Sequence, residues 1–178
     1  LLFLSAGAVI HAVSDEQDIR KMGGLVKLLP LSYICFLIGS LALTGFPFLT
    51  GFYSKDFILE GACSLYTTEG FFVFFIGSTA AFFTAFYSMR LLTLVFFGKF
   101  NGYKGSVLGV HESPIYMTVV LSILAFLSIF IGFVCKDMFV GMGSSFWGVS
   151  LGFGTISWNY FELELIPFVL KMVPLVFS

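Results

Sequence analysis

Two long apolar segments with almost no charge constrain this chain more than any other feature. Residues 71–98 carry one charged side chain, Arg90, and residues 114–135 carry none. A helix needs about 20 predominantly apolar residues to cross the hydrocarbon core of a bilayer, and both segments are long enough. We therefore predict an all-α fold, a polytopic transmembrane helical bundle.

The composition supports the same fold class and excludes several functions. Hydrophobic residues make up 58% of the chain and charged residues 11%, far below the roughly 25% charged residues of a soluble domain. A soluble fold would leave large apolar patches exposed to water. The net charge of −1 gives no sign of nucleic-acid binding. The three cysteines have no paired spacing, so we expect neither a disulfide framework nor a metal site, and no cofactor on this chain.

The order of apolar and polar segments predicts the organisation of the chain. Both ends fall within apolar runs, so we expect a fragment of a larger membrane domain. Trp147 and Trp158 favour an interfacial position for the loop that contains them. The predicted segments are the end of a span at 1–13, a loop at 14–27, a broken helix at 28–62, a span at 71–98, a loop at 99–113, a span at 114–135, an interfacial loop at 136–160 and a truncated helix at 161–178.

The segment 28–62 is too long for one straight span at about 1.5 Å per residue. Its centre, residues 44–51, reads TGFPFLTG. Proline disfavours helix at its own position and at the preceding residue. Broken helices persist in membranes where the freed backbone lies within protein or lines a wet cavity. The break is therefore a candidate element of an ion path.

Charge predicts which loops share one side of the membrane. The loop at 60–70 contains Glu60 and Glu69 and no lysine or arginine. The loops on either side of it are basic and are separated by two spans, so they lie on the same side, which the positive-inside rule assigns to the matrix or cytoplasm. The basic residues are Arg20, Lys21 and Lys27 in the first loop and Lys99 and Lys104 in the other.

Lys55 is the strongest candidate for chemistry, because it lies beside the break. Charge inside a bilayer is costly and persists where it faces the bundle interior, a partner or water. An amine in such a place can load and unload a proton. Asp56 is adjacent, and Glu60 lies one turn further along the same face. An ordinary charged cluster at the exit of a span remains the alternative.

His11 is the second candidate, since histidine is the side chain suited to proton relay near neutral pH. A packed or interfacial histidine is the alternative. We interpret Arg90 as a fixed charge that reaches the membrane surface. The pairs Lys136–Asp137 and His111–Glu112 are interpreted as solvated span ends. Lys171 lies in the truncated last helix, and its position relative to the other helices is not predicted.

Three motifs carry a resemblance to a known family. Residues 11–25 read HAVSDEQDIRKMGGL, residues 45–56 read GFPFLTGFYSKD, and residues 87–92 read YSMRLL. They resemble the C-terminal part of the chain 5 family of NADH–ubiquinone oxidoreductase, the distal antiporter-like membrane subunits of respiratory complex I. Residues 136–138, with Phe146 and Trp147 beyond them, look most like the plant-type versions. The resemblance covers nearly the whole chain.

The resemblance implies proton translocation within a multisubunit NADH:ubiquinone reductase, with no redox chemistry on this chain. Lys55 matches the family's lysine on a discontinuous helix, a proton-transfer residue near the exit path. His11 matches a histidine of the central polar chain, and Asp56 matches the acid beside the lysine. The resemblance further implies the mitochondrial inner membrane (or, as an alternative, a bacterial plasma membrane), lipids, the neighbouring antiporter-like subunit and other membrane subunits as partners, and FMN, iron–sulfur clusters and ubiquinone in other subunits.

The chain departs from the family pattern in two ways. The family has an earlier broken helix with a glutamate–lysine pair and a long lateral helix after the last spans, and this chain contains neither. We therefore expect a second chain to supply the N-terminal half. Two rival functions stay open: a subunit of a multi-component Na⁺/H⁺ antiporter, and a structural membrane segment without transport.

Overall fold

The computed structural model describes residues 1–64, 66–102, 109–139, 146 and 166–177. The secondary structure in these ranges is helical throughout, which confirms the predicted all-α class. Most of the predicted interfacial loop, with Trp147 and Trp158, and also Lys104 lie outside the described residues. The α-helices are α1 (Leu2–Ala12), α2 (Pro30–Thr44), α3 (Thr50–Ser64), α4 (Thr68–Leu92), α5 (Ile115–Phe139) and α6 (Phe168–Phe177).

Within the described ranges, two helical segments are long and apolar enough to cross a membrane. Helix α4 continues into a π-helical turn, Thr93–Phe97, and this segment has 30 residues from Thr68. Helix α5 has 25 residues. It extends to Phe139, so Lys136 and Asp137 lie in its last turn rather than in a following loop. Helices α1 and α2 are apolar but shorter.

The chain divides into two compact units. The first unit comprises Leu1–Leu41 and Phe86–Ser128. The second unit comprises Ala42–Ala85 and Ile129–Ser178. Helices α2, α4 and α5 each contribute residues to both units.

The core of the first unit forms where the loop after α1 folds against α2 and the end of α4. Leu25 and Leu29 are fully buried, and Phe96 packs beside them. The ring of Phe96 lies 5.2 Å from that of Tyr33 in an edge-to-face arrangement, which is favourable beyond the area it buries. The aromatic core therefore fixes the start of α2 against the end of α4.

The two basic loops of the first unit contact each other. Gly23 has φ +143° and lies against the carbonyl of Lys99, where a Cβ atom would have no room. The side-chain amide of Asn101 donates to the carbonyl of Arg20 at 3.1 Å. Both loops therefore lie at the same end of these helices, as the charge argument predicts.

The second unit is built around α3. Leu59 and Cys63 are buried against Ile166 and the apolar face of α6. Leu59 also lies directly over Gly77 of α4. On another face of α3, Gly132 of α5 lies close enough to Thr50 that a Cβ atom would come within 2.5 Å of its Cα. Helix α3 thus has close neighbours on several sides.

Candidate functional site

The helical path is interrupted between α2 and α3, at residues 45–49. Gly45, with φ +91°, ends α2 in the left-handed region that glycine adopts at low cost. Pro47 and Phe48 occupy the centre of a turn that the Leu49 amide closes by donating to the carbonyl of Phe46 at 3.2 Å. Phe48 takes φ +71°, which is uncommon for a residue with a side chain. Such strain is concentrated at functional sites.

Lys55 binds the end of the helix that precedes the interruption. Its ammonium nitrogen donates to the carbonyl oxygen of Thr44 at 2.6 Å. Thr44 is the last residue of α2, where the regular hydrogen bonds of the helix end. The carboxyl end of a helix carries partial negative charge, which favours a cation there. The ammonium of Lys55 therefore caps the carboxyl end of α2.

Two glycines give Lys55 the space to reach this carbonyl. A Cβ atom on Gly45 would lie 3.2 Å from Cδ of Lys55, which is tighter than an ordinary contact. Gly51 packs directly on the backbone of Ala42, and its position leaves no room for a side chain. Because Lys55 follows Gly51 by four residues, both lie on the face of α3 that meets the end of α2.

Two carboxylates follow Lys55 on α3. Asp56 and Glu60 are half-buried and, four residues apart, share one face of the helix. Asp56 interacts electrostatically with both Lys55 and Glu60. Lys171 of α6 interacts electrostatically with Glu60. The position of Lys171 could not be predicted, because nothing in the pattern of α6 reveals which helix it packs against.

His11 belongs to the first unit, whereas Lys55 belongs to the second. It occupies the last turn of α1, and 68% of its side chain is exposed. Its Nδ1 lies 3.6 Å from a carboxylate oxygen of Asp15, a separation that becomes an ion pair when the ring is protonated. Ser14 and Asp15 both take positive φ where α1 ends, and the Asp15 amide donates to the carbonyl of Ile10 at 3.0 Å.

The loop after His11 contains local ion pairs. The guanidinium of Arg20 contacts both carboxylate oxygens of Asp18, at 3.0 Å for the Nε–Oδ1 and Nη2–Oδ2 pairs. This contact holds the pKa of Asp18 below its usual value. Lys21 donates to Glu16 at 3.0 Å and lowers the pKa of that carboxyl in the same way. These exposed pairs order a loop of the first unit.

Two charged groups interpreted as solvated span ends have specific contacts. The Lys136 nitrogen lies 5.7 Å from the ring centre of Tyr53 and 5.4 Å from that of Phe133, within the range of cation–π attraction. It also lines a cavity of about 310 Å³ between α3 and α5. Glu112 accepts hydrogen bonds from the start of α2, a contact 80 residues apart in sequence that no local pattern reveals. Arg90 is exposed on α4.

The described part of the chain contains no cluster of three or more histidine, cysteine or acidic residues able to hold a metal ion. The arrangement at the interruption instead suits proton transfer. It combines a half-buried amine, two half-buried carboxylates and the last carbonyl of α2 in one unit. Each of the three side chains can carry or release a proton.

Comparison with known proteins identifies one matching family profile and several similar proteins. The profile of a family described as "NADH:quinone oxidoreductase/Mrp antiporter, TM" matches residues 1–84. The whole chain is 53% identical to NADH-ubiquinone oxidoreductase chain 5 of Phytophthora infestans and covers 27% of that protein. It is 52% identical to the chain 5 protein of Acanthamoeba castellanii, covering 26%, and 50% identical to that of Arabidopsis thaliana, covering 27%. The chain therefore spans about a quarter of the length of these relatives.

Proposed function

Because the chain is homologous along its whole length to a segment of the NADH-ubiquinone oxidoreductase chain 5 proteins, we propose that it helps to carry protons across a membrane as part of that multisubunit enzyme. The observation that carries the proposal is the hydrogen bond from Lys55 to the carbonyl of Thr44 at the helix interruption. A titratable amine bound at a broken helix end is a site where charge can change without unfolding the bundle.

Lys55 acts in this proposal as a proton carrier. As an ammonium it has three N–H donors, one of which is directed to Thr44. Release of a proton to water or to a carboxylate leaves a neutral amine, which still has an N–H for the same carbonyl. The side chain therefore keeps its position in both states. The hydrogen bond to Thr44 keeps the amine beside the end of α2 in both its protonated and its neutral form.

Asp56 is the proposed proton acceptor beside Lys55. It is half-buried and interacts electrostatically with the amine. A carboxylate in this position stabilises the ammonium, and it can take up a proton when the amine releases one. Glu60 continues the acidic face towards the end of α3. The proton path in this unit thus involves the amine first and the carboxylates after it.

His11 is proposed to belong to the polar chain that brings protons to this region. Its ring is largely exposed on the first unit, at the end of α1. Exposure within this chain leaves the ring open to contact with partner subunits. Asp15 can stabilise the protonated ring through the 3.6 Å contact.

The wider assignments follow from the relatives. We propose the mitochondrial inner membrane as the location, since the relatives named above are proteins of eukaryotes. The partners are then the neighbouring antiporter-like subunit, the other membrane subunits, lipids, and a second chain that supplies the N-terminal half. FMN, iron–sulfur clusters and ubiquinone belong to other subunits of the complex. The chain contributes to the enzyme through proton transfer rather than redox chemistry.

A cation/proton antiporter is the second candidate function. The matching family profile names Mrp antiporters together with NADH:quinone oxidoreductases. Purification of the complex from its native membrane separates the two candidates. Quinone-reductase subunits in the purified material support our proposal, and small antiporter chains without them contradict it.

Replacement of Lys55 by methionine tests the proton role. Methionine keeps the length of the side chain and removes the charge and the donors. In the assembled complex in proteoliposomes, we expect NADH-driven proton pumping to fall by about tenfold or more, as for loss of an acid–base group. The matched control is Lys27→Met, an exposed lysine of the basic loop, which should pump normally. Wild-type pumping and NADH oxidation in Lys55→Met would refute the role and favour a structural segment.

A further inference from the structure

Lys171 lies beside the residues of α6 that pack on α3. Leu170 and Val173 are partly buried against the cluster that contains Leu59 and Cys63 of α3. Both helices belong to the second unit, and they contact each other. Lys171 itself is half-buried. Its ammonium is therefore held close to α3 rather than wholly in solvent.

Glu60 is the carboxylate on α3 that Lys171 meets. It directly follows the buried Leu59 and interacts electrostatically with Lys171. Glu60 also interacts with Asp56, one turn earlier on the same face, and Asp56 interacts with Lys55. These four side chains, the charged cluster, form a series of amine, carboxylate, carboxylate and amine within one unit. Their formal charges sum to zero when all four are ionised.

The position of Lys171 within α6 calls for an acidic partner on another helix. Helix α6 begins at Phe168, so Lys171 lies in its first turn. The amino end of a helix carries partial positive charge, which disfavours a cation there. The first turn of α6 contains no acidic residue that could offset this repulsion. The carboxylate of Glu60 supplies the compensation that α6 itself lacks.

The other charged side chains described in this unit lie at the ends of other helices. They are Glu69 in the first turn of α4, and Lys136 and Asp137 in the last turn of α5. The Lys136 ammonium faces two aromatic rings. The thiol of Cys63 also interacts with Glu60, but a thiol is normally uncharged at neutral pH. Among the described residues, Lys171 is thus the cation that compensates Glu60.

We propose that Lys171 is a positioning residue for proton transfer, a fixed cation that balances Glu60 while Lys55 and Asp56 exchange a proton. This inference rests on the proposed function of Lys55 and adds a residue of α6 that the function does not use. Transfer of a proton from Lys55 to Asp56 makes that pair neutral and leaves Glu60 and Lys171 as a balanced pair. Without Lys171, ionised Glu60 would be the single charge left in a half-buried cluster, which is costly. Glu60 would then retain a proton that has to move on.

Substitutions at Lys171 and Glu60 in the assembled complex test the inference. Lys171→Met removes the cation at similar length, whereas Lys171→Arg keeps a cation that does not release its proton. Glu60→Gln removes the partner charge and is also combined with Lys171→Met. Val169→Met is the matched control, because it places the same side chain at an exposed position of the same helix. Proton pumping per NADH oxidised is measured in proteoliposomes over a range of pH, with complex content normalised on native gels.

We expect Lys171→Met to pump about tenfold more slowly at neutral pH, with its pH profile moved to higher pH by about one pH unit. The reason is that a nearby cation makes neighbouring groups release their protons more easily. Loss of packing alone would not move the profile. Lys171→Arg and Val169→Met should pump as the wild type does. The double variant should be no slower than the slower single variant, because both substitutions remove the same interaction.

Each contrary outcome identifies the step that fails. Slow pumping in an assembled Lys171→Arg complex would overturn the fixed-charge role, and this variant decides the inference if Lys171→Met does not assemble. An unchanged rate and pH profile in Lys171→Met, beside slow pumping in Lys55→Met, would refute the inference and leave the proposed function intact. Losses that multiply in the double variant would show that Lys171 acts independently of Glu60. Normal pumping in Lys55→Met would refute the proposed function itself, and the inference with it.

Discussion

Lys55 reaches back across eleven residues to donate a hydrogen bond to the carbonyl of Thr44, 2.6 Å away. The bond joins the two halves of an interrupted helix through a group that can gain or lose a proton. A cation at this helix end is favoured by the partial negative charge there. The amine nitrogen of Lys55 therefore both binds the end of α2 and carries the proton that can be transferred.

The charge of Lys55 and its ability to release a proton can be separated with arginine. Lys55→Arg keeps a cation and hydrogen-bond donors at Thr44, but a guanidinium stays protonated in proteins. We expect the complex to assemble normally while proton pumping falls by about tenfold or more, as for Lys55→Met. Pumping is measured by quenching of a pH-sensitive dye in proteoliposomes. Normal pumping in the arginine variant would show that the residue serves only as a fixed charge.

His11→Ala tests the second proton-transfer residue. We expect slower pumping by about tenfold with assembly intact, since the ring is largely exposed and its loss leaves little unfilled core volume. His111→Ala is the control, because that histidine is also exposed and its Nδ1 lies 2.9 Å from the carbonyl of Gly109 in a loop. Equal pumping rates in the two variants and the wild type would remove His11 from the path.

Gly51→Ala tests the close packing that directs Lys55. The new methyl group would collide with the Ala42 backbone, and neither backbone can move far. We expect a loss of about 1–3 kcal/mol in stability, as for overpacking of a core, together with reduced pumping. Gly61→Ala in the same helix is the control, because nothing lies within 4 Å of its Cβ position. Thermal denaturation of the purified complex measures the difference, and similar melting of both variants would contradict the packing argument.

The Asp18–Arg20 pair predicts how the first loop responds to acid. The Arg20 amide donates to Oδ1 of Asp18 at 3.0 Å, and the guanidinium lowers the pKa of that carboxyl from its ordinary value of 3.8. A lowered pKa in the folded state means that the ionised carboxylate stabilises the loop above pH 3.8, and that this stabilisation is lost as the pH falls through the lowered value. We expect the Arg20 amide to lose protection from hydrogen exchange in that range.

Asp18→Asn provides the control for the acid response. Asparagine keeps a side-chain oxygen for the Arg20 amide but does not titrate. In this variant, protection of the Arg20 amide should be independent of pH after correction for intrinsic exchange. Hydrogen exchange with mass spectrometry on peptides covering residues 14–24 measures both proteins. The same pH dependence in both would mean that another group controls the loop.

The interruption could be predicted from sequence, and its bonding could not. Gly45, Pro47 and Gly51 act on the backbone at their own positions, so their effect is local and readable. The bond from Lys55 to Thr44 depends on how closely α3 approaches α2, which follows from the contact at Gly51. Backbone contacts of this kind leave no periodic pattern in the residues that make them.

The contacts that sequence reasoning missed join distant parts of the chain. Glu112 binds the start of α2 across 80 residues, and Lys171 interacts with Glu60 from a separate helix. Charged residues near the ends of apolar segments are usually solvated, and this general rule led to the interpretation of Glu112 as a solvated end. Only the packing of the helices decides which of them find partners inside the protein.

The contact between Gly23 and the carbonyl of Lys99 has a consequence for the divergence of such chains. Two surface turns that abut through their main chains cannot drift independently, even where their side chains are free to vary. An insertion or a bulkier residue in one turn requires a matching change of shape in the other. Chimeras that exchange one of these turns between relatives should therefore assemble poorly, and exchange of both together should restore assembly.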